Sequence, residues 1–341
     1  MNKAPYQKIL PWLAAFLLTG CASQNILQPS LIPIGTPSAL ASQTVNLVTP
    51  ATTATTVYST LGGNLLFTTP SGVFTSDYLV QNKISIQSLS EPLASLAMSP
   101  TGTRLAYFDR QDQLWIKDLQ TGERRRLNTY TLSNPDYTLE WSPDENRLLF
   151  SCAAENIPYI SICAFDLQTE SLQVLLDARD VGVQGVNSIM RFQSQDQSGT
   201  KIIFTIAEIP EFGNPSKEVI YLLDTQSQRT SVILDSHTQA DISNIIRVAL
   251  SPDAQTALFD ARIGGVSQIF QINIDGTGLR QITSNTLNTM FPFWSPDGEF
   301  FYARQNHLSS LDVQFVLYNL NGKVIQTTSL QDTRLWGWYR R

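Results

Sequence analysis

Few residues in this 341-residue chain are of the types that carry out chemistry. There are three cysteines, Cys21, Cys152 and Cys163, and two histidines, His237 and His307. Two separated histidines do not make a three-His metal site, and no HExxH or CxxC spacing supplies one, so neither a metal nor another cofactor is expected. No GxSxG stretch offers a nucleophile elbow, and no glycine-rich loop is built to cradle a phosphate. Cleavage of a glycosidic bond would need two carboxylates that converge in space, which spacing along the chain does not test. A hydrolase or lyase is therefore the least favoured of the functional readings.

The carboxylates that do recur are Asp144, Asp253 and Asp297, each third in a Ser-Pro-Asp triplet that starts at Ser142, Ser251 or Ser295. These residue types match successive positions of a tight turn. The hydroxyl bonds local backbone, Pro fixes φ, the carboxylate accepts a backbone N–H, and the Gly that ends one copy permits the exit geometry. A ring of these acids around a cation is the sharper alternative; the turn reading makes them structural.

The elements that these turns join are short strands. A variant turn starts at Ser99, and degenerate copies start at Ser194 and Ser59, so the steps are 40, 43, 52, 57 and 44 residues. A period near 40 to 45 residues with strand-like content is that of a propeller blade. In the unit at Ser251, "QTALFDAR", "SQIFQINI" and "LRQIT" follow the turn in β-branched and aromatic alternation, with Gly, Asn and Asp between the runs. The stretch "SPDAQTALFDARIGGVSQIFQINIDGTGLRQITSN" resembles the TolB-like propeller repeat, and the resemblance extends over about residues 58 to 330. It implies an all-β, six-bladed propeller of four-stranded antiparallel blades, or seven blades if the C-terminal "TRLWGWYRR" starts another unit. That segment is otherwise the candidate to close the ring beside the N-terminal unit. Trp336 and Trp338 alternate along it, so both are expected on one side of the strand. The repeat specifies fold rather than activity, because one fold hosts many functions.

The N-terminus reads differently. Lys3 and Lys8 precede an apolar run from Ile9 to Leu18, which is far shorter than the roughly 20 residues that span a bilayer. This is the pattern of a secretory signal over residues 1–20. Leu18-Thr19-Gly20-Cys21 resembles the lipobox of bacterial lipoproteins. That resemblance implies cleavage before Cys21, lipidation of its thiol, and attachment to a membrane. With Ala at position 22 it implies the outer membrane, facing the periplasm, in a two-membrane bacterium. Residues 21–56 read as an uncharged Ser/Thr/Ala/Pro tether, and a coil of about 35 residues has a reach of roughly 30 Å. Residues 57–341 form the propeller, so the tether stands where the TolB family carries an amino-terminal partner-binding domain.

Export bears on the other two cysteines. In an oxidising compartment Cys152 and Cys163 are expected to bridge, the alternative being two buried thiols. They flank a turn near Asn156–Pro158, and a turn centred on Ile157-Pro158 would set them directly opposite each other. Charge excludes one partner class. With Lys3 and Lys8 removed, 21 basic residues face 29 acidic ones, and the Arg124-Arg125-Arg126 run is read as an exposed strand edge. Nucleic acid is therefore not an expected partner.

The longer steps mark where loops have grown: Asp177 to Ser188, Ala207 to Glu218 and Asp235 to Asn244. Blade connectivity puts all three on the face opposite the Ser-Pro-Asp turns. Loops carry binding residues more often than the scaffold does. Arg179, Asp180, Glu208, Glu211, Phe212, His237 and Asp241 are therefore the candidate partner-binding face. The expected function is a lipid-anchored extracytoplasmic scaffold that binds an envelope protein, with a glycan or cell-wall polymer as the alternative ligand.

Overall fold

The computed structural model describes residues 64–87, 93–127, 138–154, 157–182, 188–208, 218–239, 241–306, 313–329 and 333–339. The expected signal over residues 1–20, Cys21, the expected tether and the Ser59 copy lie outside them. The described chain forms six four-stranded antiparallel sheets. The first sheet holds β1 (Asn64–Thr69), β2 (Gly72–Asp77) and β3 (Ile84–Gln87). The second holds β4 (Ser95–Met98), β5 (Arg104–Phe108), β6 (Leu114–Asp118) and β7 (Arg124–Arg126). The third holds β8 (Glu140–Trp141), β9 (Arg147–Ala154), β10 (Ile157–Asp166) and β11 (Ser171–Leu176). The fourth holds β12 (Ser188–Gln195), β13 (Lys201–Glu208), β14 (Glu218–Asp224) and β15 (Arg229–Asp235). The fifth holds β16 (Val248–Leu250), β17 (Thr256–Ile263), β18 (Val266–Asn273) and β19 (Arg280–Gln281). The sixth holds β20 (Asn288–Trp294), β21 (Phe300–Asn306), β22 (Val313–Asn319) and β23 (Val324–Ser329). The final strand, β24 (Arg334–Tyr339), pairs with β1 and becomes the innermost strand of blade 1. The C-terminal segment thus closes a six-membered ring, and no seventh blade begins among the described residues.

The core is divided around the ring. Each blade packs its two faces on two neighbours, so six apolar clusters fill six blade-to-blade interfaces. Strand β17 shows how the pleat divides them. Ala257, Phe259 and Ala261 face blade 4, whereas Leu258 faces blade 6. Successive side chains point to opposite faces, and both faces are buried, so the strand reads as an almost unbroken apolar run. Each fully buried Leu or Phe contributes about 1.5–3 kcal/mol. Burial fades outward until β7, Arg124–Arg126, is exposed at all three positions, as expected of an edge. Adjacent inner strands are also tied by polar contacts. Trp141 Nε1 donates to Ala97 O at 3.1 Å, and Trp294 Nε1 repeats this to Ala249 O at 2.9 Å.

The Ser-Pro-Asp turns join the innermost strand to the second in blades 3, 5 and 6. In each, the Ser hydroxyl donates to the Asp carboxylate two residues on, and Asp144 and Asp297 also accept the N–H of Asn146 and Glu299. The Ser142 hydroxyl holds the Asp144 carboxyl below its ordinary range. In blade 4 the turn starts two residues later than the sequence suggests, at Asp196 rather than Ser194. Asp196 N donates to Lys201 O and Gly199 N to Asp196 O, the pattern made by Ser142, Ser251 and Ser295 elsewhere. The two side chains have exchanged places: Ser198 donates to the Asp196 carboxylate. Ser194 instead accepts the Leu250 N–H from the next blade.

Two further expectations change. Cys152 and Cys163 are disulfide-bonded, but Cys152 is opposite Ser161 and Cys163 opposite Phe150. A register shift between Ile157 and Ser161 moves the hairpin centre, so the bridge is diagonal, with Cα atoms 5.8 Å apart. Trp336 and Trp338 do not share a side. A bulge between Leu66 and Phe67 leaves Trp336 as the extra residue of β24 and breaks the alternation. Trp336 packs toward blade 2 and Trp338 toward blade 6.

Candidate functional site

The six innermost strands surround a channel. At the face where those strands begin, it widens into a chamber of about 1100 Å³ lined from all six blades. At the opposite face, Pro100, Pro143, Pro252 and Pro296 of the tight turns ring a smaller mouth of about 440 Å³. There Gln197 Nε2 reaches Pro296 O at 3.0 Å. The wide mouth lies on the face that carries the three long connections, because each enters an innermost strand or links the second strand to the third.

The chamber is cationic, although the chain as a whole carries a net charge of −6. Arg191, Arg247, Arg262, Arg304 and Arg334 line it, against Glu140 and Glu218. Both carboxylates are already engaged. Glu218 is buried and accepts the Ile245 N–H at 3.0 Å. Glu140 accepts the Gln195 N–H at 3.1 Å and lies 3.8 Å from Arg247. Arg247 reaches across from blade 5 to donate to Thr138 Oγ1 of blade 3, and it stacks on Phe293. Loss of water raises the Glu140 carboxyl to about 7 against the pull of Arg247 and the Gln195 bonds. Burial lowers Arg247 and Arg304 from their ordinary values, and for Arg304 no opposing charge among the described residues offsets it.

Asp260 organises this wall from beneath. It is 1% exposed and accepts three backbone N–H groups, from Ile246 and Arg247 at 2.9 Å each and from Phe291 at 2.8 Å. Burial still raises its pKa. Phe291 has φ of 56°, inside the left-handed region that L residues disfavour, at a bulge between Met290 and Phe293. The Asp260 bond stabilises that conformation, and Phe291 lines the chamber.

The residues expected to form the partner-binding face are placed as follows. Arg179 and Asp180 lie in a 3₁₀ turn, Ala178–Val181, with Arg179 bonded to Asp177 of its own loop. His237 and Asp241 are exposed in the β15–β16 connection, where the His237 ring contacts Asp235 at 2.8 Å. Glu208 ends β13, its backbone opposite Ser188. Glu211 and Phe212 lie outside the described residues, as do Cys21 and His307. None of the described members lines the chamber; Asn244 and Glu218, which end two of the long loops, do. The chamber arginines are not evident from sequence because they sit in different blades. The usable signal is a cation at the start of an innermost strand, as in "IIRVAL" and "TRLW". Among the described residues, no three His, Cys, Asp or Glu side chains gather as metal ligands would.

No protein-family model matches the chain. A 64-residue stretch is 41% identical to the Tol-Pal system protein TolB of Histophilus somni, covering 18% of this chain and 15% of that protein. A stretch of the same length is 34% identical to dipeptidyl-peptidase 5 of Porphyromonas gingivalis, covering 17% and 9%. The chain therefore matches less than a fifth of the length of these curated relatives. Among solved structures, TolB from Acinetobacter baumannii superposes with a TM-score of 0.62 at 17% identity, over 82% of this chain and 67% of that one. The putative TolB from Agrobacterium tumefaciens gives 0.58 at 16%, over 82% and 98%. Oligogalacturonate lyase from Vibrio parahaemolyticus gives 0.52 at 16%, over 79% and 73%. At these identities the likeness is one of fold. With six blades, a C-terminal closing strand and this repeat, the chain carries a TolB-like β-propeller.

Proposed function

We propose that this protein is a lipid-anchored, extracytoplasmic scaffold that binds a protein partner in the bacterial cell envelope. The observation that carries the reading is geometric. The long connections between blades 3 and 4, within blade 4, and between blades 4 and 5 share one face with the wide, charged mouth of the channel. That arrangement offers a partner a recessed site on the same face as the long connections. The lipobox-like Leu18–Cys21 and the uncharged tether support anchoring, and the TolB-like fold is compatible with a binding role. The glycan alternative has only the lyase's fold likeness behind it, at 16% identity.

Photo-crosslinking side chains placed at Asp180 and Asp241, both exposed on the loop face, test the binding reading in cells. A control at exposed Glu299 samples the turn face. A defined protein adduct from the first two positions and not the third is expected. No adduct at Asp180 or Asp241, or an equal one at Glu299, removes the proposal. Anchoring is tested by Cys21→Ser, which should move the protein from the membrane to the soluble fraction.

A further inference from the structure

The chamber holds more positive charge than the protein itself neutralises. Of its five guanidinium groups, Arg247 is shared with Glu140 and Thr138, Arg262 donates to Gly265 O at 3.1 Å, and Arg334 stacks 3.9 Å from the Trp336 ring. Arg191 and Arg304 have neither an ion pair nor a hydrogen bond among the described residues, and Arg304 Nε is shielded from water without an acceptor. They stand on blades 4 and 6, with blade 5 between them. On blade 5 Ile246 shows 46% of its surface, and Phe291 of blade 6 also lines the wall. A cation left without a partner in a partly dry cleft is costly unless a ligand supplies the counter-charge. An exposed isoleucine in the same wall adds an apolar surface that a hydrated ion does not use.

We infer that the chamber takes an extended acidic peptide segment of the partner, with carboxylates on Arg191 and Arg304 and an apolar side chain on Ile246 and Phe291. This rests on the scaffold reading and gives its partner a chemistry. Guanidinium groups suit carboxylates because they offer paired N–H donors in a planar fork. A channel wall with more arginines than carboxylates would also draw an acidic chain in from solution, more weakly as salt rises. A neutral sugar face gains little from an aliphatic Ile246 side chain, which favours a peptide over a polysaccharide.

The test is calorimetric titration of the full chain in detergent with (Glu-Leu)₃, its (Lys-Leu)₃ counterpart, and trigalacturonate. Binding of (Glu-Leu)₃ that weakens with salt is expected. Arg191→Gln/Arg304→Gln should weaken it about 100-fold, or about tenfold for each guanidinium–carboxylate pair removed. If the double variant melts early, Arg191→Gln alone carries the test, because Arg191 is open to the channel. Equal binding of (Lys-Leu)₃, no binding of (Glu-Leu)₃, or affinity unchanged in the arginine variants overturns the inference. Binding of trigalacturonate in place of (Glu-Leu)₃ also overturns it, in favour of an acidic glycan. An adduct at Asp180 or Asp241 that persists undiminished in the arginine variants leaves the scaffold and removes this site. Peptide binding without any adduct in cells removes the scaffold and the partner assignment with it.

Discussion

Replacing Glu140 by Gln should stabilise the protein, and only above mildly acidic pH. Glu140 sits in the channel wall with its side chain 26% exposed, and its carboxyl is raised from 4.5 to about 7. Loss of solvation is the leading cause, and it outweighs the attraction of Arg247 at 3.8 Å and the Gln195 bonds. The sign follows from proton binding. The folded protein holds this proton more tightly than the unfolded chain, so stability falls as pH rises from about 4.5 to about 7 and stays reduced above that. One pH unit corresponds to about 1.4 kcal/mol, so the full shift bounds the effect near 3 kcal/mol, and partial exposure reduces it to about 1–2 kcal/mol. Gln resembles the protonated carboxyl in shape and charge, and its oxygen can still accept the Gln195 N–H. Urea unfolding of both proteins at pH 4.5 and pH 8 reads the difference directly. Curves that coincide at pH 4.5, with Glu140→Gln ahead by about 1–2 kcal/mol at pH 8, are expected. A variant less stable than the parent at pH 8 would mean that the ion pair with Arg247 outweighs desolvation, and the reasoning would be wrong.

Three other perturbations follow from the fold. Deleting residues 334–341 removes β24 and leaves β1 as an open edge, so size-exclusion chromatography should show aggregates that the full chain does not form. Cys152→Ala/Cys163→Ala removes a bridge with a sequence separation of 11 and should lower stability by about 3 kcal/mol; a denaturation midpoint equal to the parent's under oxidising conditions counts against it. Gly322→Ala should destabilise by more than about 1 kcal/mol. Its φ is +76° and an added Cβ would overlap Ile282 O of blade 5, so an unchanged melting temperature would contradict this turn geometry.

Much of the scaffold is legible in the residues because its rules are local. A Ser-Pro-Asp triplet binds its own hydroxyl, carboxylate and backbone within a few residues, as at Ser142–Asn146. Three such turns, a Ser-Pro variant and the strands between them suffice to predict blades, whereas the choice of six over seven and the closing role of the C-terminal segment are settled by the pairing of β24 with β1. Where the local rule weakens, the register slips. In blade 4 the turn uses Asp196 and Ser198 in exchanged order, and the serine that the repeat leads one to expect, Ser194, stands two residues early.

Register and convergence lie beyond local rules. The side of β24 to which Trp336 points depends on a bulge opposite Leu66 and Phe67, more than 260 residues earlier in the chain. The diagonal placement of Cys152 and Cys163 depends on a register shift inside their hairpin, although the pairing itself is the expectation raised by two cysteines in adjacent strand-like runs around one turn. The candidate site is the clearest case. The sequence determined a propeller, its turns, its bridge and a face with long loops, because each is written in neighbouring residues. The tertiary structure alone decided that Arg191, Arg247, Arg304 and Arg334 meet in one chamber. They come from four different blades, and only closure of the ring brings them together around carboxylates too few to neutralise them.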